Sequence, residues 1–436
     1  MKEQDKIPTS KFSRTGSFLK TGAKVGGNYL KYYGKRIIGE GNEEELHKDN
    51  ASDIYDSLSK LKGSALKVAQ MMSMDEGILP GAFSQKFSQA QYSAPPLSYP
   101  LVVKTFRDQL SKSPSEIFSS FSKNAFAAAS IGQVHKAEVE GKSMAVKVQY
   151  PGVADSIHSD LRIIKPIVSS MFKISSSELD YYLEEIGARL IEETDYKLEL
   201  KRSKEIALSC KHIEGLEFPK YYAEYSSERI LTMDWLSGRH LNEFLALNPS
   251  QDVRDRIGQI LWDFYDFQIH TLRKVHADPH PGNFLMREDA SLGVIDFGCI
   301  KEFPEDFYMN YFRLMEPGIS QNDEKFTKLL FDLKFLLEDD SQEEVRHFSK
   351  MYQEMHNLLC TPFFADEFDF ADGNYFQEIY SMSDRFSKDK MLRKAKAARG
   401  PKDSLYLTRT YFGLYSLLHK LGSKVRTRSL VNLIFD

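Results

Sequence analysis

The chain has 436 residues, of which 42% are hydrophobic and 28% charged, so most of it can bury a core and it is not a largely disordered protein. Lysine and arginine number 58 against 62 acidic residues, a formal net charge of -4 that excludes a general nucleic-acid binder, because such proteins are broadly basic. Three widely spaced cysteines, Cys210, Cys299 and Cys360, predict reduced thiols rather than a disulfide framework or a metal cluster.

Residues 1–49 are predicted to be a basic, flexible segment. Residues 1–38 carry nine basic residues against two acidic ones, with apolar residues between them and glycines that lower helix propensity. Three interpretations stay open: a solvated tail, a weakly amphipathic anchor for anionic lipid, and an organelle transit peptide. The chain has no run of 18 apolar residues and no secretory signal, so we expect a cytoplasmic protein, with peripheral membrane contact and organelle targeting left open.

Residues 50–120 are predicted to form a helical extension. From position 50 onward, apolar residues recur every three or four positions. Two further helices are predicted over 82–92 and 99–111, and the proline pair at 95–96 separates them.

Residues 121–236 are predicted to form the first lobe of an α+β protein. Strand-like runs over 134–140 and 143–149 flank a turn, which predicts a hairpin. Because strand side chains alternate, Met144 and Val146 face one way and Lys147 the other. Helices are predicted over 153–172 and 178–209, and strands over 221–225 and 229–235. The second lobe, residues 237–436, is predicted to be mostly helical.

The strongest chemical signal is His276-Ala-Asp278-Pro-His-Pro-Gly-Asn283, followed by Asp296-Phe-Gly298. Asp278 and Asn283 have the spacing of the kinase catalytic loop H-R-D-x-x-x-x-N, and Asp296 opens the magnesium-binding D-F-G. A polar turn at 287–291 between apolar runs predicts a short hairpin that returns Asp296 to Asn283. We predict that Asp278 orients or deprotonates the acceptor hydroxyl and that Asn283 and Asp296 hold Mg²⁺.

A lysine on a strand supplies the second signal. Ala145-Val-Lys147 matches the V-A-I-K lysine that holds the α- and β-phosphates of ATP. On the predicted helix over 178–209, Glu193 lies about a third of a turn away from the face of Glu199, so the two should reach different partners. The segment from Met233 to Leu236 is where a kinase holds adenine through backbone groups.

Two usual features of protein kinases are missing. In place of the glycine-rich loop stands Ala127-Ala128-Ala129-Ser130, and alanine restricts the positive φ that lets a backbone close on phosphates. No A-P-E sequence follows Asp296, so the platform for a protein substrate is not visible.

Together these residues resemble the UbiB-type family of atypical kinase-like proteins, which is associated with ubiquinone and other isoprenoid-lipid metabolism. The shared marks are the alanine-rich loop, Lys67-Val-Ala-Gln70, Glu193-Thr-Asp195 and the loop from His276 to Asn283. The family pattern K-x-G-Q is met with Ala69 in place of glycine, a change that a helix tolerates.

The resemblance implies a bilobal kinase-like fold with a helical extension, in which Lys147 holds the nucleotide phosphates and pairs with Glu199. It also implies that Lys67 and Gln70 cover the nucleotide, with Lys67 paired to Glu193. The implied ligands are ATP or ADP with Mg²⁺. The implied partners are isoprenoid lipids or quinone precursors and the enzymes that process them.

Three functions are compatible with the sequence. The first is an ATP-dependent kinase or ATPase that supports isoprenoid-quinone or related lipid metabolism. The second is a catalytically weak nucleotide-binding scaffold, and the retained Lys147, Asp278, Asn283 and Asp296 argue against it. The third is a small-molecule kinase of the aminoglycoside-phosphotransferase type, which shares the H-x-D-x-x-x-x-N spacing but has neither the alanine loop nor the extension motif.

Overall fold

The structure is a computed structural model, and it describes residues 11–37, 42–61, 96–128, 131–172, 176–394 and 399–427. The chain divides into two compact units. The first comprises Met1–Lys201 and Lys220–Trp235, and the second comprises Arg202–Pro219 and Leu236–Asp436.

Helices and strands alternate irregularly along the chain, and most of the strands come before residue 303. The helices are α1 Lys11–Ile37, α2 Glu43–Leu61, α3 Tyr99–Leu110, α4 Pro114–Ile117, α5 Val153–Phe172, α6 Ser176–Glu193, α7 Tyr196–Ser209, α8 Leu241–Leu245, α9 Gln251–Phe267, α10 Glu305–Phe312, α11 Asp323–Asp332, α12 Gln342–Leu359, α13 Gly373–Ser387, α14 Lys390–Lys394 and α15 Lys402–Leu421. The strands are β1 Ser120–Phe121, β2 Ala127–Ala128, β3 Gly132–Val139, β4 Lys142–Gln149, β5 Leu216–Glu217, β6 Ile230–Asp234, β7 Lys274–His276, β8 Phe284–Met286, β9 Leu292–Val294, β10 Ile300–Glu302, β11 Glu367–Asp369 and β12 Lys424–Arg426.

A helical hairpin of α1 and α2 opens the first unit. Lys24 Nζ lies 3.2 Å from Asp53 Oδ1, and Asn28 donates to the other oxygen of the same carboxylate at 3.0 Å. Within the segment predicted to be flexible, Lys11–Ile37 therefore forms a helix. Glycines lower its intrinsic helix propensity, but packing rather than propensity supplies most of a helix's stability in a protein.

The antiparallel sheet of the first unit has the order β1-β3-β4-β6, and β2 also pairs with β3. The predicted β3–β4 hairpin is confirmed, with Glu140 and Gly141 both at positive φ in its two-residue turn. Met144 and Val146 pack with Val102 and Phe106 of α3, as the predicted alternation of faces requires. The helix predicted over 99–111 is thus confirmed as α3, while the one predicted over 82–92 lies outside the described residues.

Two predictions in the first unit were wrong. The helix expected over 178–209 is two helices, α6 and α7, because Thr194 and Asp195 interrupt it. The strand expected over 221–225 is a single bridge from Tyr221 to Met233 followed by a 3₁₀ turn at Ala223–Tyr225. Glu193 and Glu199 therefore lie on different helices, and the predicted separation of about a third of a turn between them does not apply.

The segment Arg202–Pro219 belongs to the second unit, although the sequence predicted one lobe over 121–236. Ile206 and Cys210 are buried in the same cluster as Ile260 of α9 and Leu292 of β9. The short β5 also pairs in parallel with β9. The sequence pattern of α7 is continuous, so only the burial of its second half against these residues reveals the change of unit.

The core of the second unit lies around α9 and α15, where the Trp262 ring stacks on Tyr415 with centroids 6.5 Å apart. The end of α9 continues as a π-helical turn, Gln268–Leu272, which places Gln268 fully inside the core. Gln268 Oε1 accepts a hydrogen bond from the backbone N–H of His276 at 3.0 Å. The π-turn thus anchors the strand that enters the predicted catalytic loop.

Among the described residues, no helix combines the length and the apolar character that crossing a bilayer requires.

Candidate functional site

The first constellation is a buried ion pair in the first unit. Lys147 Nζ lies 3.0 Å and 3.1 Å from the two carboxylate oxygens of Glu199. The Lys147 side chain is 14% exposed and that of Glu199 is 1% exposed, and the ammonium group lies 5.1 Å from the centre of the Tyr196 ring. A carboxylate at this depth needs a charged partner, so the two residues hold each other in one geometry.

Asp195 positions Glu199 through the helix that carries it. Asp195 precedes α7, and its Oδ1 accepts hydrogen bonds from the backbone N–H groups of Lys197 at 3.1 Å and Leu198 at 3.0 Å. This is the geometry of an N-cap, which satisfies donors that the first turn leaves without partners. The aspartate of the E-T-D motif therefore starts α7, and Glu199 points from the first turn of that helix to Lys147.

The strand of Lys147 is fixed on both sides. β4 pairs with β3 and with β6, placing Lys147 opposite Val134 and Leu231. Gln149 Nε2 donates to the backbone oxygen of Thr194 at 2.8 Å, which ties β4 to the break before α7. A Cβ atom at Gly132 would lie only 2.8 Å from the Tyr196 hydroxyl oxygen, so this position needs glycine for the close approach of β3 to α7.

The remaining predicted residues of the first unit fall into two groups. Ala127 and Ala128 form β2 and pair with Val134 and Gln133 of β3, so this part of the alanine segment is a strand rather than a loop. Glu193 ends α6 and is buried. Lys67, Gln70, Ala129 and Ser130 lie outside the described residues, so the predicted pairing of Lys67 with Glu193 stays a prediction.

The segment predicted to hold adenine runs from one unit into the other. Met233 is buried in β6 opposite Ala145, in the cluster that also contains Tyr196. Leu236 belongs to the second unit. Its side chain packs closely on Gly293, because a Cβ atom at that glycine would lie 3.2 Å from Leu236 Cδ1. The role of both residues in binding adenine stays a prediction.

The second constellation is the loop after β7. β7 pairs with β10, and the N–H of Ala277 donates to the backbone oxygen of Cys299 at 2.9 Å. Asn283 Nδ2 donates to the backbone oxygen of Asp278 at 2.8 Å, which closes the five-residue loop on itself. With the amide nitrogen engaged there, Asn283 Oδ1 is the side-chain atom able to ligate a cation.

The hairpin predicted after Asn283 is confirmed. β8 and β9 are antiparallel with Phe284 opposite Val294, and the N–H of Ile295 donates to the backbone oxygen of Asn283 at 3.0 Å. Asp296 therefore follows directly beside Asn283, and its Oδ1 accepts a hydrogen bond from the Gly298 N–H at 2.8 Å. An amide oxygen and a carboxylate are hard ligands that suit Mg²⁺, which keeps several waters and needs few protein ligands.

Asp278 has a partner that the sequence did not predict. Arg409 Nη2 donates to Asp278 Oδ1 at 3.0 Å, with the side chains 12% and 19% exposed. Arg409 lies on α15, 131 positions along the chain from Asp278, in a helix without a recognisable motif. No sequence signal distinguishes this arginine from the other cations near the C-terminus, so only the fold identifies it.

Three comparisons with known proteins agree with this geometry. The model of the ABC1 atypical kinase-like domain matches residues 89–330. The chain is 28% identical to a probable serine/threonine-protein kinase, abkA, of Dictyostelium discoideum, over 98% of this chain and 79% of that protein. It is also 28% identical to the mitochondrial atypical kinase COQ8 of Saccharomyces cerevisiae, over 98% and 85% of the two chains. A solved structure, described as the complex of Rv3197 with erythromycin from Mycobacterium tuberculosis, is similar with a TM-score of 0.59 and 25% identity, covering 88% of this chain and 95% of that chain.

Proposed function

The chain belongs to the ABC1 atypical kinase-like family, and from that premise we propose that it binds ATP with Mg²⁺ and acts as a phosphotransferase or ATPase. The observation that carries the proposal is the buried pair of Lys147 and Glu199, with Nζ 3.0 Å from Oε1. A lysine fixed in this way is the group by which kinases hold the α- and β-phosphates. The two curated relatives described above are both named as kinases, which supports the same class of reaction.

Each residue then has a defined task. Lys147 binds phosphate oxygens while Glu199 fixes its position. Asp278, oriented by Arg409, accepts a hydrogen bond from the attacking hydroxyl or water and takes its proton. Asn283 and Asp296 provide oxygen ligands for Mg²⁺, which, when bound, compensates the charge of the phosphates. The loop's internal hydrogen bonds keep these oxygens in place before the nucleotide arrives, so little reorganisation accompanies the reaction.

Nucleotide binding is tested by calorimetry on the full chain with MgATP and MgADP. We expect Lys147→Met and Asp296→Asn each to weaken binding by about tenfold or more, equivalent to about 1.4 kcal/mol. Lys142→Met, on the exposed start of β4, and Glu288→Gln, in the exposed turn of the β8–β9 hairpin, are matched controls and should bind as the parent does.

Lys147→Met leaves a buried carboxylate without its partner, so its folding has to be checked separately. The double variant Lys147→Met, Glu199→Leu removes both charges and should recover stability without recovering nucleotide binding. Absence of binding by the parent chain, or equal binding by the parent and both site variants, would refute the proposal.

We propose that this kinase or ATPase activity supports isoprenoid-quinone or related lipid metabolism. The resemblance to the UbiB-type family supports this, as does the similarity to COQ8 of Saccharomyces cerevisiae. COQ8 of Saccharomyces cerevisiae is named as mitochondrial, which favours the organelle alternative for this chain. The test is the profile of quinones and their precursors in a deletion strain complemented with the parent or with Asp278→Asn. Restoration by the parent alone is expected, and identical profiles in both strains would contradict the proposal.

A further inference from the structure

A cluster of three soft donor atoms lies in the second unit, away from the motifs that define the proposed nucleotide site. Cys360 follows α12, and its Sγ lies 3.3 Å from His356 Nδ1. The same sulfur lies 3.3 Å from Sδ of Met315, which ends the 3₁₀ turn after α10. The thiol of Cys360 therefore contacts both an imidazole and a thioether, although the thioether comes from another part of the chain.

The backbone prepares this arrangement. His356 lies in the last turn of α12 and Cys360 caps its end four residues later, so both lie on the same side of the helix end. The N–H of Cys360 donates to the backbone oxygen of His356 at 2.9 Å. Met315 is buried, whereas His356 and Cys360 are partly exposed. The ring of Phe326 lies 5.6 Å from that of His356 and gives the cluster an apolar neighbour.

We propose that Cys360, His356 and Met315 form a binding site for a soft monovalent cation, Cu(I). Thiolate and thioether sulfur select Cu(I), and imidazole suits it as well. The bonds of about 2.3 Å and 2.0 Å that Zn²⁺ makes to sulfur and nitrogen put these ligand atoms about 3.5 Å apart at a tetrahedral angle. The Sγ of Cys360 and Nδ1 of His356 lie 3.3 Å apart, so the two donors are spaced for one metal ion of this size. Cys360 and His356 provide two donors and Met315 provides the third. Among the described residues, no group of three or more His, Cys, Asp and Glu side chains is placed to hold a metal.

Binding requires one chemical change. The S–H bond of Cys360 breaks, its proton passes to solvent, and the sulfur lone pair forms the bond to Cu(I) without any change of oxidation state. The other two donors bind through lone pairs they already have. The alternative is a packed thiol whose S–H donates to Sδ of Met315, and this alternative predicts no particular affinity for a soft cation.

The test measures Cu(I) affinity of the reduced full chain under anaerobic conditions, in competition with the chelator bicinchoninate, with Ag(I) as a redox-inert second probe. We expect one tightly bound ion per chain, near-ultraviolet thiolate-to-copper absorption, and sulfur ligands in X-ray absorption spectra. Loss of an outer-shell partner alone weakens metal sites by about 10- to 100-fold, so Cys360→Ser and Met315→Leu should each weaken binding by at least about tenfold.

Matched controls come from the same chain. Cys210→Ala removes a cysteine buried in the core, and Met309→Leu changes an exposed methionine of α10; neither should alter the affinity. Met315→Leu conserves volume, so this variant is expected to fold even where a change at Cys360 does not. Equal affinity of the parent and Met315→Leu, or a preference of the parent for Zn²⁺ over Cu(I), would overturn the proposal.

Discussion

Arg409 Nη2 donates to the carboxylate of Asp278 at 3.0 Å and thereby joins α15 to the predicted catalytic loop. Two further contacts join the same helix to this region. Lys301, just after the D-F-G motif, pairs with Asp403 at 2.5 Å, and Gly413 lies directly against Pro279 of the loop. The helix near the C-terminus is therefore part of what holds the loop in place, and it can be tested separately from the nucleotide contacts.

Replacing Arg409 should impair turnover more than nucleotide binding. Arg409→Met leaves Lys147 and Asp296 intact, so we expect a fall in kcat of about tenfold or more with the Kd for MgATP nearly unchanged. Arg409→Lys keeps the charge and should recover part of the rate. Lys420→Met, exposed at the end of the same helix, is the control. Steady-state kinetics and calorimetry measure the two quantities, and a large loss of MgATP binding in Arg409→Met would speak against a positioning role.

A methyl group at Gly413 should disturb the loop from behind. A Cβ atom there would clash with Pro279 Cγ, so α15 or the loop has to move. We expect Gly413→Ala to lower the free energy of unfolding by about 1–3 kcal/mol and to reduce turnover, because overpacking at a close contact costs this much. At Gly373 a Cβ atom would meet nothing within 4 Å, so Gly373→Ala should be neutral. Denaturant unfolding measures the free energy of unfolding of both variants. Equal values for Gly413→Ala and Gly373→Ala would contradict the prediction.

General protein substrates should not be phosphorylated efficiently. Only a few residues separate Gly298 from α10, and Ile300–Glu302 of this stretch are paired as β10 with β7. Since no A-P-E sequence follows, the segment on which protein kinases place a substrate peptide is not available in its usual form. Casein and myelin basic protein incubated with the purified chain and labelled ATP should therefore remain essentially unlabelled. Robust labelling that Asp278→Asn abolishes would show this prediction to be wrong.

A buried histidine should make stability fall in mild acid. His270 Nδ1 lies 2.7 Å from the Tyr308 hydroxyl, and its Nε2 lies 3.2 Å from that of Tyr411 and 3.6 Å from Asp266. Burial, assisted by the charge of Arg273, lowers the pKa of His270 from 6.5 to about 3. Below pH 6.5 the unfolded chain therefore binds a proton at His270 that the folded chain does not bind. The free energy of unfolding falls progressively as the pH falls towards 3.

The expected size of this effect is about 2 kcal/mol between pH 6.5 and pH 5, or about 1.4 kcal/mol per pH unit for one proton. His270→Gln does not titrate in this range, so its unfolding free energy should depend less steeply on pH than that of the parent. Denaturant unfolding at several pH values measures both slopes. Parallel slopes would show that His270 does not determine the acid dependence, whatever the variant's absolute stability.

Local sequence patterns predicted many of the contacts between segments that are neighbours in the chain. The β3–β4 hairpin followed from alternation around Glu140-Gly141, and the β8–β9 hairpin followed from apolar runs around a polar turn. The proximity of Asp296 to Asn283 came with the second hairpin. Periodicity failed where a break is made by specific hydrogen bonds: Asp195 caps α7 through its side chain, and the surrounding sequence reads as one uninterrupted helix.

The sequence by itself determined the family, the kinase-like motifs and the short hairpins, because these depend on residue types at fixed spacings along a few turns or strands. The tertiary structure alone decided that Arg409 meets Asp278, that Arg202–Pro219 belongs to the second unit, and that Met315 reaches Cys360. Each of these contacts joins residues that are far apart in the chain, or assigns a segment to a core formed elsewhere. Such contacts arise when whole helices and strands pack on a shared core. The spacing of residues along the sequence does not indicate which distant side chains this packing brings together.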